Sequence, residues 1–253
     1  MKDLKCKAIK TDDGKIVFES AISESNTPEE LQEQIEYNKR FGKMVPRNGK
    51  YFTWRAEDWQ GKFITHRQIN YGINLAWTQV ELEIPIDVKR AKVGEYADFK
   101  IYFRRTSDDP ELTSNTLMYH YYPINDFNNP NRGVCVVNTD FPLTVHGNPI
   151  SMHEIDPDHY PEHPVGFPEH IDPTGHTFDF DQLYAHEGPG HGLGLGHTKL
   201  QYHVMSSNYT IMAEFFTNFD IACEKAKYGA RNWFKKWFYK RWINWYRVRS
   251  DRY

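Results

Sequence analysis

Within the stretch His186-Glu187-Gly188-Pro189-Gly190-His191-Gly192-Leu193-Gly194-Leu195-Gly196-His197 the chain places three imidazoles and one carboxylate. Neutral imidazole nitrogens are ready zinc ligands, and a catalytic zinc site uses three protein ligands while a fourth position is left to water. These residue types predict a metal held by His186, His191 and His197, with Glu187 as the base beside the bound water. Spacing sets a condition. On a regular helix, ligands four residues apart point about 40° apart, whereas ligands five apart, as His186 and His191 are, diverge by roughly 140°. A plain helix cannot aim both at one ion. One wide turn would absorb the extra residue. Pro189, which has no N–H to give to a regular ladder and is flanked by Gly188 and Gly190, suits that turn.

The second half of the stretch keeps the spacing H-x-x-G-x-x-H. It resembles the metzincin signature H-E-x-x-H-x-x-G-x-x-H, and its surroundings resemble the matrixins, the matrix-metalloproteinase family. In the first half, three residues separate Glu187 from His191 where the family has two. Thr198 follows His197, Met205 comes eight residues after His197, and Tyr209 comes four after Met205. Matrixins carry a small polar residue, the Met-turn methionine and a tyrosine at these places; their proline two residues past the methionine is Ser207 here. Asp220-Ile221 and Tyr228-Gly229 resemble the family's terminal helix.

The resemblance implies an α+β, metzincin-like (zincin-like) fold: a twisted mixed sheet, long helices and a C-terminal subdomain containing a Met-turn. It implies a zinc-dependent endopeptidase that hydrolyses internal peptide bonds of protein substrates. Catalytic Zn2+ would sit on His186, His191 and His197, with Glu187 moving the proton of the attacking water. Met205 would be an apolar floor, and Tyr209 a wall of the pocket for the residue after the cleaved bond. The alternative is a catalytically inactive matrixin-like domain that binds zinc or protein. Pro46-Arg47-Asn48-Gly49 resembles the family's latency motif P-R-C-G with Asn48 in place of the cysteine, so no thiol switch carries over and an ordinary turn is expected.

These residues need a scaffold, and the rest of the chain divides into three parts: an N-terminal extension over 1–45, the peptidase-like domain over 46–229, and a basic aromatic tail over 230–253. In the extension, Asp13-Gly14 between Ala8-Ile9 and Ile16-Val17-Phe18 signals a hairpin. Thr27-Pro28-Glu29-Glu30 opens a helix with Leu31, Ile35 and Phe41 as its buried stripe. Ile69, Ile73, Ala76, Trp77 and Val80 recur at helical spacing, predicting a helix from about Phe63 to Val80. Strands are expected over 85–88, over 94–103 and over 133–137, with a polar loop between the last two. The last resembles the edge strand on which matrixins lay substrate, which would make Val134 and Val136 substrate-binding through strand addition. A core strand is the other reading. Asp181 is expected to cap the helix that carries His186.

Between 144 and 181 lie His146, His153, His159, His163, His170 and His176 among many acids and prolines. Matrixins place a structural zinc and calcium near here, so Ca2+ or a second Zn2+ is open, beside a solvated polar loop; Val137 stands where the family supplies a further histidine.

The three cysteines, Cys6, Cys135 and Cys223, are too few and too scattered for a disulfide framework and read as buried thiols. Residues 230–253 carry eight Lys or Arg against one Asp, a local +7 that leaves −10 for the rest of a chain whose net charge is −3. That tail either packs on the body or docks on an anionic membrane surface or partner; an acidic body disfavours nucleic acid. No run reaches the 18 or so apolar residues of a membrane span. The first residues lack the apolar segment of a secretory leader, so the secretion usual for matrixins finds no support here and the compartment is left open.

Overall fold

The computed structural model describes residues 5–12, 16–20, 30–57, 66–141, 143–144, 178–200, 203–207, 216–232 and 236–237. Its centre is a mixed sheet of β1 (Lys5–Lys10), β2 (Ile16–Ser20), β3 (Phe52–Ala56), β4 (Val88–Arg90), β5 (Phe99–Arg104), β6 (Thr116–Tyr121) and β7 (Val134–Asn138). The strands lie side by side as β2-β1-β6-β7-β5-β3-β4. β4, β3, β5 and β7 run parallel, whereas β6, β1 and β2 are each antiparallel to the strand before them. A second, two-stranded sheet pairs β8 (Leu143–Thr144) with β9 (Phe178–Asp179).

Among the described residues, four α-helices complete the α+β architecture: α1 (Leu31–Asn38), α2 (His66–Glu83), α3 (Phe180–Ala185) and α4 (Asn218–Tyr228). Helix α2 buries Ile69, Ile73, Ala76, Trp77 and Val80, the face that its spacing predicts. Trp77 lies on Phe99 of β5, with centroids 4.6 Å apart, and its indole N–H donates to the Tyr184 hydroxyl of α3 at 3.2 Å. Helix α4 starts with a capping box. Thr217 Oγ1 accepts from the Asp220 N–H, and the Asp220 carboxylate accepts from the Thr217 N–H.

Several expectations are corrected. β7 is not an edge strand: β5 pairs on one side and β6 on the other, so Val134 and Val136 have no free backbone edge to offer a peptide. Their side chains pack with Tyr119 and Tyr121 instead. The segment expected to be a loop before β7 contains β6, whose six residues are all buried. The strand expected over 85–88 is displaced to β4. Pro85 has no N–H for a ladder, and the carbonyls of Ile84 and Ile86 are taken by the Arg231 guanidinium. Asp181 lies inside the first turn of α3 and does not precede it. Leu31 is 39% exposed, and α1 turns Gln34, Tyr37 and Asn38 inward.

The turn at Pro46-Arg47-Asn48-Gly49 is built locally. The Asn48 carboxamide oxygen accepts from the N–H groups of Lys50 and Tyr51 at 2.9 Å each, and Gly49 N–H reaches the Pro46 carbonyl at 3.0 Å. The start of the basic tail packs on the body. Arg231 N–H donates to the Glu83 carbonyl at 2.9 Å, and Lys225 and Lys236 both pair with the Glu83 carboxylate. Trp237 of the tail is 45% exposed, the other tail aromatics lie outside the described residues, and no helix among the described residues is long and apolar enough to cross a membrane.

Candidate metal centre

Helix α3 runs directly into a single π-helical turn, His186–His191, with Pro189 inside it. This is the wide turn that the five-residue spacing requires: one residue is inserted into the helix without turning His191 away from His186. The chain crosses closely packed ground here. A Cβ at Gly190 would run into the Met205 sulfur. Met205 is buried, and the backbone beside it is held by α4, since the Val204 N–H donates to the Asp220 carboxylate at 3.1 Å.

The three imidazoles converge. His186 Nε2 lies 3.0 Å from His191 Nε2 and 3.1 Å from His197 Nε2, and the last two are 3.2 Å apart. On the far side of its ring, His186 Nδ1 is 2.6 Å from the Val204 carbonyl, and His191 Nδ1 is 2.7 Å from the Leu195 carbonyl. A carbonyl can only accept, so both Nδ1 atoms carry the proton and both Nε2 atoms present bare lone pairs to each other. Two lone pairs 3.0 Å apart in a dry interior repel unless a cation lies between them, and orienting carbonyls of this kind are the usual outer shell of metal-bound histidines. Burial, reinforced by the neighbouring imidazoles, holds His186 and His191 well below the usual histidine range and so keeps them neutral, as ligands must be.

A fourth donor completes the group. Cys6 Sγ lies 3.3 Å from His197 Nε2, and the four side chains form one fully buried cluster whose donor atoms lie within 4.8 Å of one another, able to hold a metal ion. Register delivers the thiol: Cys6 of β1 pairs with His120 of β6, and His120 with Cys135 of β7. Glu187 is fully buried, and neither of its carboxylate oxygens makes a well-formed hydrogen bond among the described residues, though the Cys6 thiol acts on it. Burial pushes its pKa well up, against a smaller pull down from the Cys6 thiol.

The N-terminal hairpin covers this centre. β1 adds antiparallel to β6, taking the edge which that strand would otherwise leave free. From β2, Phe18 stacks on His186 with ring centroids 3.8 Å apart, and its N–H donates to the Ser207 carbonyl at 3.0 Å. His186, Glu187, His191 and His197 are completely shielded from solvent.

Of the residues singled out from the sequence, His186, Glu187, His191, His197 and Met205 are brought together, and Val134 and Val136 lie elsewhere. Tyr209 and the six histidines of 146–176 lie outside the described residues. Cys6 is the member that the sequence did not reveal as a ligand; it read correctly as a buried thiol, but nothing local tells what it faces. No protein-family model matches the chain, and no curated protein is significantly similar to it.

Proposed function

We propose that the chain is a zinc-dependent endopeptidase in a covered state. The observation that carries this reading is the convergence of three imidazole Nε2 atoms through a π-turn, with the fully buried Glu187 next to the first of them. The donors suit zinc. Tetrahedral bonds of about 2.0–2.1 Å to nitrogen place ligand nitrogens about 3.3 Å apart, close to the 3.0–3.2 Å separations here. Zinc at this place would polarise a scissile carbonyl and acidify water. His186 and His191 are held in the right tautomer by Val204 and Leu195. Glu187 would take the water's proton on a carboxylate oxygen and return it to the departing amine. The extended peptide would lie along β6, in the place β1 now fills.

Cys6 supports a second reading, since a four-donor set without an open position is the signature of a structural zinc site. On that reading the domain binds metal but does no chemistry, and Glu187 has no task.

A mixed library of unstructured peptides, read by mass spectrometry, separates the two. The zinc-loaded full chain is expected to cut little, and the chain lacking residues 1–20 to cut internal bonds in a way that chelator abolishes. If the shortened chain retains zinc and cuts nothing, the peptidase reading fails and the closed metal-binding domain stands.

A further inference from the structure

Helix α1 has an inverted face. Leu31 is exposed, yet Gln34 and Asn38, one turn apart, are each 2% exposed. Burying two amides is costly unless they find partners, and these find the loop that carries the third histidine. Gln34 Nε2 donates to the His197 carbonyl at 2.9 Å and the Gly196 carbonyl at 3.1 Å, and lies 3.3 Å from Asn38 Oδ1. Asn38 Oδ1 in turn accepts the Gly196 N–H at 2.8 Å. The N–H and carbonyl of Gly196 and the carbonyl of His197 are thus all gripped by one helix.

The contact is close on the apolar side too. A Cβ at Gly196 would run into the rings of Tyr37 and Phe41, so only glycine lets the loop approach. Phe41 stacks on Tyr122 at 4.2 Å, and Tyr122 meets His191 edge-on at 4.7 Å. Lys227 of α4 joins the same pieces, its ammonium donating to the carbonyls of Asn38 at 2.8 Å, Gly42 at 2.6 Å and Gly194.

We infer that Gln34 and Asn38 are positioning residues of the metal centre, which fix His197 through its backbone. Helix α1 therefore positions one of the three histidines, whereas the β1–β2 hairpin covers the site and brings the Cys6 thiol to it. This rests on the metal-binding part of the reading above and not on catalysis. It also divides the N-terminal 45 residues by role: the hairpin can leave with the three histidines still in place, but α1 cannot.

The test uses the full chain with zinc as the probe, competed against a chromophoric chelator, together with the absorption spectrum of the cobalt-substituted protein and the thermal unfolding of the metal-free protein. Gln34→Met and Asn38→Leu keep side-chain volume but remove the polar grip. Each is expected to weaken zinc binding by about 10–100-fold, the usual effect of losing an outer-shell partner, and to shift the cobalt bands. Metal-free unfolding should change far less than the metal-bound midpoint. Asn38→Asp, which keeps the acceptor for the Gly196 N–H, should recover most of the affinity lost in Asn38→Leu. Gly196→Ala attacks the same contact from the loop side and should give the same loss if either helix variant fails to fold. Unchanged zinc affinity in the folded variants would overturn the inference, as would losses fully accounted for by metal-free unfolding. A parent chain that binds no zinc would overturn the metal-site reading itself.

Discussion

Glu187 occupies a place that stability alone would not choose for a carboxyl: fully buried, without a well-formed hydrogen bond among the described residues, and with a pKa raised by that burial against a smaller opposing effect of the Cys6 thiol. A group held at such cost beside converging ligands is a mark of chemistry. Glu187→Gln in the full chain should therefore leave the unfolding midpoint unchanged or raise it by a few degrees, because a neutral amide is easier to bury. In the chain lacking residues 1–20 the same substitution should cut peptide cleavage by about 10²–10⁴-fold. Thermal unfolding and cleavage measured side by side decide it; a midpoint well below the parent's would mean that the carboxylate holds structure. At this scale the sequence was informative where chemistry is local. His186, Glu187, His191 and His197 sit close together, and the arithmetic of their spacing already demanded a wide turn. Cys6 was not legible, since it lies 191 positions from His197 and meets it only through the pairing of β1 with β6. Gln34 and Asn38 were passed over for a related reason. Amides on a short helix read as its solvent face, and here Gln34 and Asn38 lie on the buried face with Tyr37.

The π-turn is the element that reconciles this sequence with one metal. Its geometry gives a sharp prediction. Deleting Pro189 brings the histidines to a four-residue spacing, which a regular helix aligns to within about 40°. The shortened segment should then form an ordinary α-turn and hold zinc within about tenfold of the parent, as measured by chelator competition. Loss of binding by a thousandfold or more would show that the wide turn itself, not just the facing of the two rings, sets the geometry. Helix α2 is legible in the sequence because its apolar stripe keeps a 3.6-residue period, and Ile69, Ile73, Ala76, Trp77 and Val80 are all buried. The strands fared less evenly. β6 was missed because its buried run sits between turn-rich segments dominated by Asp, Asn and Pro. β7 was given an edge that it does not have, because strand order depends on pairings between distant segments and leaves no trace in either strand. The strand expected over 85–88 fails partly for a reason outside that segment: besides Pro85, which has no N–H to give, Arg231 reaches in from far along the chain and takes the Ile86 carbonyl that a strand would have used.

For the molecule as a whole, the donor set joins the N-terminal strand to a segment far along the chain. Cys6 lies on a strand near the sheet's edge, while the histidines follow a helix that packs on α2. An ion on all four donors would tie the covering hairpin to the body, and a ligand that binds only the folded form at a hundred times its Kd adds about 2.7 kcal/mol to stability. Without the ion, the hairpin keeps its ladder to β6, the core packing of Ala8 and Phe18, the Phe18 N–H bond to the Ser207 carbonyl and partly exposed ion pairs such as Lys7 to Glu111, and surface pairs contribute little. Chelation should consequently act unevenly. Hydrogen exchange of the β1 amides should accelerate by about tenfold or more on metal removal, while amides of α2, held by an apolar core that needs no ion, keep most of their protection. Cys6→Ala in the metal-loaded chain should reproduce the fast β1 exchange and leave zinc bound by the three histidines. If β1 exchanges equally slowly with and without metal, the strand ladder and Phe18 hold the cover by themselves, and the thiol then contributes to the ion's shell without governing access to it.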